Sequence, residues 1–138
     1  MLRKIGFGAG FWGIMFLAVS ALIISPLPNI WQKILEIIIA GIAAYVLAMI
    51  YFKKTPEDLR GAVILWAIWM IISAVLDLLI TVQYVKAGDT YLYGLRSFYG
   101  MWSLWVSFVV ALGAMVLAAK MNQGAAPTKP TTSPLPTQ

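Results

Sequence analysis

The chain has 138 residues, of which 62% are hydrophobic and 11% charged, with a mean hydropathy of +0.87. Too few polar side chains remain to cover a water-soluble domain of this size, so the composition points to an integral membrane protein. Cys and His are both absent, which excludes disulfides, thiolate nucleophiles, haem and metal sites built on these residues, and Ser-His or Cys-His catalytic pairs. Small four-span thiol oxidases and b-type cytochromes are excluded with them. The formal charge of +5 needs no nucleic-acid partner, because basic excess in a membrane chain reflects topology and contact with anionic lipid.

Four apolar runs follow in order: Ile5 to Ile24, Ile30 to Phe52, Ala62 to Val82 and Phe98 to Ala119. Each can cross a hydrocarbon core of about 30 Å at about 1.5 Å per residue. They predict an all-α fold, an up-down bundle of four transmembrane helices over 1–122 with spans near 5–24, 30–52, 62–84 and 98–119. The first run has Arg3 and Lys4 before it and small residues at Ala18-Val19-Ser20, as a signal peptide would. Its apolar stretch continues to Ile24, beyond a normal signal core, which favours an uncleaved span.

The connectors carry starts and stops. Ser25-Pro26-Leu27-Pro28-Asn29 predicts a tight turn, with Asn29 as N-cap and Gln32 completing a capping box. Thr55-Pro56-Glu57-Asp58 predicts a capping hydroxyl, Pro at the first helical position and two acids at the positive end of the third helix. Gly88 is a candidate stop for that helix, and Ser97 a candidate cap for the fourth. The Pro/Thr-rich stretch 123–138 is expected to be a disordered tail.

Basic residues set an expected orientation. Arg3, Lys4, Lys53, Lys54, Arg60, Lys120 and Lys129 fall on one side, against Lys33, Lys86 and Arg96 on the other. This bias predicts both termini in the cytoplasm of a multi-pass protein of a prokaryotic inner membrane.

Small residues mark candidate packing faces: Gly6, Gly10 and Gly13 in the first span, Gly41, Ala44 and Ala48 in the second, and Gly100, Ser103 and Ser107 in the fourth. In a bilayer, helices associate by close backbone approach at such positions. The seams can serve packing inside one bundle, or association with a second copy or a partner.

Two acids lie within apolar runs. Asp77 is about 22 Å from Ala62, hence about 8 Å below the outer boundary. A carboxylate there costs about 2.5–3.5 kcal/mol on insertion scales, so it should face the bundle interior and find a partner, or be protonated. Helical spacing puts Trp66, Met70, Ser73, Thr81 and Tyr84 on its face. Glu36 lies about 9 Å inside the second span, with Lys33 one turn earlier and Arg96 in the outer loop. One expectation is a structural network, Lys33 with Glu36 and Asp77 with Arg96 or with Ser73, Thr81 or Tyr84. The other is a proton or cation site in a water-filled pocket opening outward.

Gly8, Trp12, Phe16 and Pro26-Leu27, then Tyr51-Phe52-Lys53-Lys54, then Trp69-x-x-Ile72-Ser73-x-x-Leu76-Asp77 run through residues 1–85 in order. This part of the chain resembles a group of small four-span prokaryotic membrane proteins whose third span is built on Trp-x-x-Ile-Asn-x-x-Leu-Asp. Ser73 stands where the group has Asn, and the Asp-Ile-Gly start of the group's fourth span is missing around Thr90 to Gly100. The resemblance implies the four-span layout and a role for Asp77, and no activity.

Together the residues predict a non-catalytic, cofactor-free membrane protein acting through helix-helix association, as a homo-oligomer or an accessory subunit of a membrane complex, in contact with membrane lipids. The alternative is a small proton- or cation-coupled carrier or ion-binding protein using Asp77 and Glu36.

Overall fold

A computed structural model describes residues 2–85 and 90–124, which are helical with no strand among them. The elements are α1 (Leu2–Ile24), α2 (Asn29–Lys54), α3 (Leu59–Leu76), a π-helical turn (Asp77–Thr81), α4 (Val82–Val85), α5 (Tyr91–Tyr99) and α6 (Trp102–Gly124). Four stretches, Leu2–Ile24, Asn29–Lys54, Leu59–Thr81 and Trp102–Gln123, are long and apolar enough to cross a membrane. Their outward faces carry Leu17, Ile24, Ile71, Leu79 and Val109, each between 65% and 85% exposed, a surface suited to lipid. Gly88, Lys86 and the stretch 125–138 lie outside the described residues.

Helix α1 packs on α2 and α3, and α6 packs on the same two, so the four spans form a ring in the order α1, α2, α6, α3. Contacts between α1 and α3 run in the same direction, from Lys4–Glu57 through Gly8–Trp69 to Trp12–Asp77. Those between α2 and α6 do likewise, from Glu36–Ser103 through Gly41–Val110 to Phe52–Asn122. Each span therefore has one parallel and one antiparallel neighbour.

One end of the bundle is solid. Tyr51, Phe52, Leu65, Trp69 and Met115 are completely or almost completely buried there. Phe7 and Phe11 stack on Trp69 at 6.4 and 5.8 Å between ring centroids, and Phe7 meets Tyr51 edge-on at 5.6 Å. Buried Ala44, Ala48, Ala62, Ala111, Ala118 and Ala119 let the helices approach closely around these rings. Beyond the core, Arg3 donates to Thr55 Oγ1 at 2.8 Å, and Lys4 pairs with Glu57 at 3.1 Å.

The local signals differ from several sequence expectations. Asn29 is already helical and Pro28 is the cap residue, with no side-chain cap. Gln32 reaches back over the turn instead, donating to Leu27 O at 3.0 Å and Ser25 O at 3.4 Å. Helix α3 begins at Leu59 and not at Pro56, because extended Asp58 accepts from Gly61 N at 2.7 Å and is itself the cap. Thr55 serves Arg3, and Glu57 serves Lys4.

The fourth span starts at Trp102, later than expected. Ser97 lies inside α5, which ends where Gly100 N donates to Arg96 O at 2.9 Å. A Cβ on Gly100 would come 2.7 Å from Arg96 O, so this glycine fits the crowded end of α5 and is not a packing seam.

The expected packing of Gly6, Gly10 and Gly13 within the bundle is also corrected, since no atom lies within 4 Å of a Cβ on any of them. Gly8 takes that role. A Cβ there would meet Ile72 Cδ1 at 2.9 Å and Trp69 Cδ1 at 3.2 Å. On α2, Gly41 does face a neighbour, with a Cβ there reaching 2.9 Å from Val110 Cγ1.

Candidate functional site

Above the aromatic core the helices surround open space. A cavity of about 770 Å³ occupies this half of the bundle. Phe11, Ala40, Ser73 and Ser107, all buried, line its deep end. It runs up to the α1–α2 turn, where exposed Asn29 and Ile24 stand at its rim. Trp12, Phe16, Phe98 and Phe108 give it aromatic walls, and both intramembrane acids, Glu36 and Asp77, line it.

Asp77 is 8% exposed and begins the π-helical turn. Its Oδ1 accepts from Trp12 Nε1 at 2.8 Å and from Thr81 Oγ1 at 2.7 Å. Among the described residues no donor reaches Oδ2. Helix α1 supplies the first donor because it runs parallel to α3 with Gly8 allowing close approach one turn earlier. The turn supplies the second, and its widened ladder shows in the bond from Val82 N–H to Asp77 O, five residues back. Tyr91 OH caps the same turn by donating to Leu78 O at 3.0 Å.

Glu36 is held in the same manner from the opposite wall. Its Oε2 accepts from Ser103 Oγ at 3.0 Å, while no described donor reaches Oε1. The two carboxyls are thus tied to separate donors on facing walls. Ser73 and Ser107 are 5% and 4% exposed, line the cavity, and have hydroxyl oxygens with no hydrogen-bond partner.

The expected ion pairs are not formed. Lys33 lines the cavity but makes no salt bridge with Glu36; its Nζ lies 5.7 Å from the centroid of the Trp102 ring. Arg96 is exposed on α5 and does not pair with Asp77. Among the described residues the salt bridge found is Lys4–Glu57, at the other end of the bundle.

The polar stripe expected on the third span is divided. Ser73, Asp77 and Thr81 line the cavity, whereas Trp66 donates to Phe108 O at 3.1 Å and Met70 packs against the core. The Tyr84 side chain lies outside the described structure. Ser103 and Ser107, expected as packing positions, are cavity residues as well. Sequence reasoning missed Trp12 as the partner of Asp77, although an indole N–H in mid-span demands an acceptor and is a usable signal. Tyr99, on α5 outside the spans, has its hydroxyl pushed above the ordinary tyrosine range, first by burial and then by the Asp77 carboxylate and Tyr91.

No group of three or more acidic, His or Cys side chains converges among the described residues. The fold and the site define a polytopic helical bundle with a one-ended, acid-lined cavity inside its spans. Comparison with protein-family models, curated proteins and solved structures finds no match.

Proposed function

We propose that this chain is a small, non-catalytic multi-pass membrane protein that binds a cation inside the bilayer, in the hollow half of its bundle, as a carrier or ion-binding protein. One observation carries this reading. The two acids within the spans, buried Asp77 and half-buried Glu36, line one cavity, and each has an oxygen that no described protein donor reaches. A carboxylate within a membrane span is costly even when one of its oxygens is hydrogen-bonded, and a cation arriving in the cavity offsets that cost.

The basic residues support an orientation. Arg3, Lys4, Lys53, Lys54, Arg60 and Lys120 gather at the solid end, so both termini face the cytoplasm of a prokaryotic cell membrane and the cavity opens on the opposite side.

The test is isothermal titration of the purified chain in dodecyl maltoside with sodium, tetraphenylphosphonium and 4-phenylbutylammonium chlorides. Saturable binding of at least one of them, lost in the double variant Asp77→Asn/Glu36→Gln, is expected. Absence of binding to the native chain for all three, or binding indifferent to the double substitution, overturns the reading.

A second reading, association as a homo-oligomer or accessory subunit, draws support from α1. Gly6, Gly10 and Gly13 point away from the bundle with open space above them, as a face for another helix would. Cross-linking of a Gly10→Cys variant in native membranes tests it, and a purely monomeric product counts against a homo-oligomer.

A further inference from the structure

Resting on that reading, we infer that the ligand of the cavity is an amphiphilic organic amine, bound with its N–H donors among Asp77, Glu36, Ser73 and Ser107 and its apolar body against the aromatic walls.

Size decides first. A bound water accounts for about 30 Å³, and hard metal ions require oxygen ligands closing around them at about 2.3–2.6 Å. A cavity of about 770 Å³ with phenyl and indole walls is built for neither. It falls instead within the range of about 300–1,000 Å³ typical of pockets for organic ligands, which are mostly apolar with a few placed polar groups.

The polar groups then define the ligand's head. Among the described residues no donor reaches Asp77 Oδ2 or Glu36 Oε1. Ser73 and Ser107 are more than nine-tenths buried, line the same cavity and are unpartnered. Ser73 lies one turn below Asp77 on α3, and Ser107 one turn below Ser103, the donor to Glu36, on α6. Carboxylate and hydroxyl oxygens therefore line facing walls of the same cavity. A primary ammonium carries three N–H donors and no acceptor, which suits a site rich in acceptors. A quaternary ammonium carries the same charge but leaves every one of these oxygens without a hydrogen bond.

The walls define the tail. Trp12 stacks on Phe16 at 5.1 Å with their planes 21° apart, and together they present π surface beside the carboxylate that Trp12 also orients. Such surface accepts both an apolar body and a cation.

The test compares 4-phenylbutylammonium with its N,N,N-trimethyl analogue, sodium chloride and neutral 4-phenylbutanol on the full chain in dodecyl maltoside. The primary amine is expected to bind about tenfold more tightly than the trimethyl analogue, the difference expected for loss of hydrogen bonds to charged acceptors. Ser73→Ala and Ser107→Ala should each weaken the amine severalfold while leaving the trimethyl analogue unaltered. Circular dichroism and gel filtration confirm that these small substitutions retain the fold. Equal affinity for the amine and its trimethyl analogue, or tight sodium binding that displaces the amine, overturns the amine assignment while leaving cation binding intact. Equal binding of the neutral alcohol, unaffected by the acid substitutions, overturns both.

Discussion

Asp77 owes its position to Trp12. The indole donates to Oδ1 across the α1–α3 interface, so the carboxylate is aimed by a residue 65 positions away in sequence. Trp12→Phe keeps a ring for Phe16 to stack on and removes only the donor. It should lower thermal stability in detergent by about 1 kcal/mol, within the range for interhelical hydrogen bonds in membranes, and should weaken amine binding because Asp77 is then held by Thr81 alone. An unshifted melting temperature together with unaltered binding would show that the bond has no role. Tyr99 reports on the same carboxylate from outside the spans. Its raised value means that the neutral phenol is favoured in the folded state, so this contribution to stability is present below the ordinary tyrosine value and lost as pH rises through the raised one. Asp77→Asn removes one of the causes, so Tyr99 should ionise at lower pH than in the native chain. The tyrosinate absorbance lost on Tyr99→Phe isolates this group from the other tyrosines.

At the scale of elements, the helices were legible and their faces less so. The apolar runs locate all four spans because only helices of that length satisfy the backbone in lipid. The start of α6 was hidden, since Phe98 to Ala119 reads as one apolar stretch while α5 ends at Tyr99 with Gly100 as its cap and α6 begins at Trp102. The depth of Asp77 and Glu36 could be counted along the chain. Their partners could not, because α1 is apolar nearly all round and nothing in its residues says which of four glycines faces α3. Gly8 and Gly10 separate these cases experimentally. Gly8→Val should destabilise by about 1–3 kcal/mol through crowding of Ile72 and Trp69. Gly10→Ala meets open space and should be neutral or slightly stabilising, by up to about 1 kcal/mol from helix propensity. Thermal unfolding of the two variants checks this, and equal losses would contradict the assignment of faces.

The molecule as a whole is solid at one end and hollow at the other. A ligand entering at the α1–α2 turn meets a floor beneath which lie Trp69, Tyr51, Phe52 and Met115, so passage to the far side requires these packed side chains to part. The absence of cysteine makes sidedness simple to measure. In intact cells an impermeant maleimide should label Gln32→Cys at the rim, whereas Lys54→Cys at the basic end should react only after permeabilisation. The reverse pattern would invert the orientation proposed from the basic residues.

The parallel pairing of α2 with α6 also bears on how the chain is made. The face of Gly41 finds its partner in the fourth span, so it enters the bilayer uncovered and waits there until Trp102–Gly124 follows. Until then the nascent protein holds an adhesive helix surface with no internal mate. Completion of the bundle is therefore the same event that withdraws this surface from any stray neighbour.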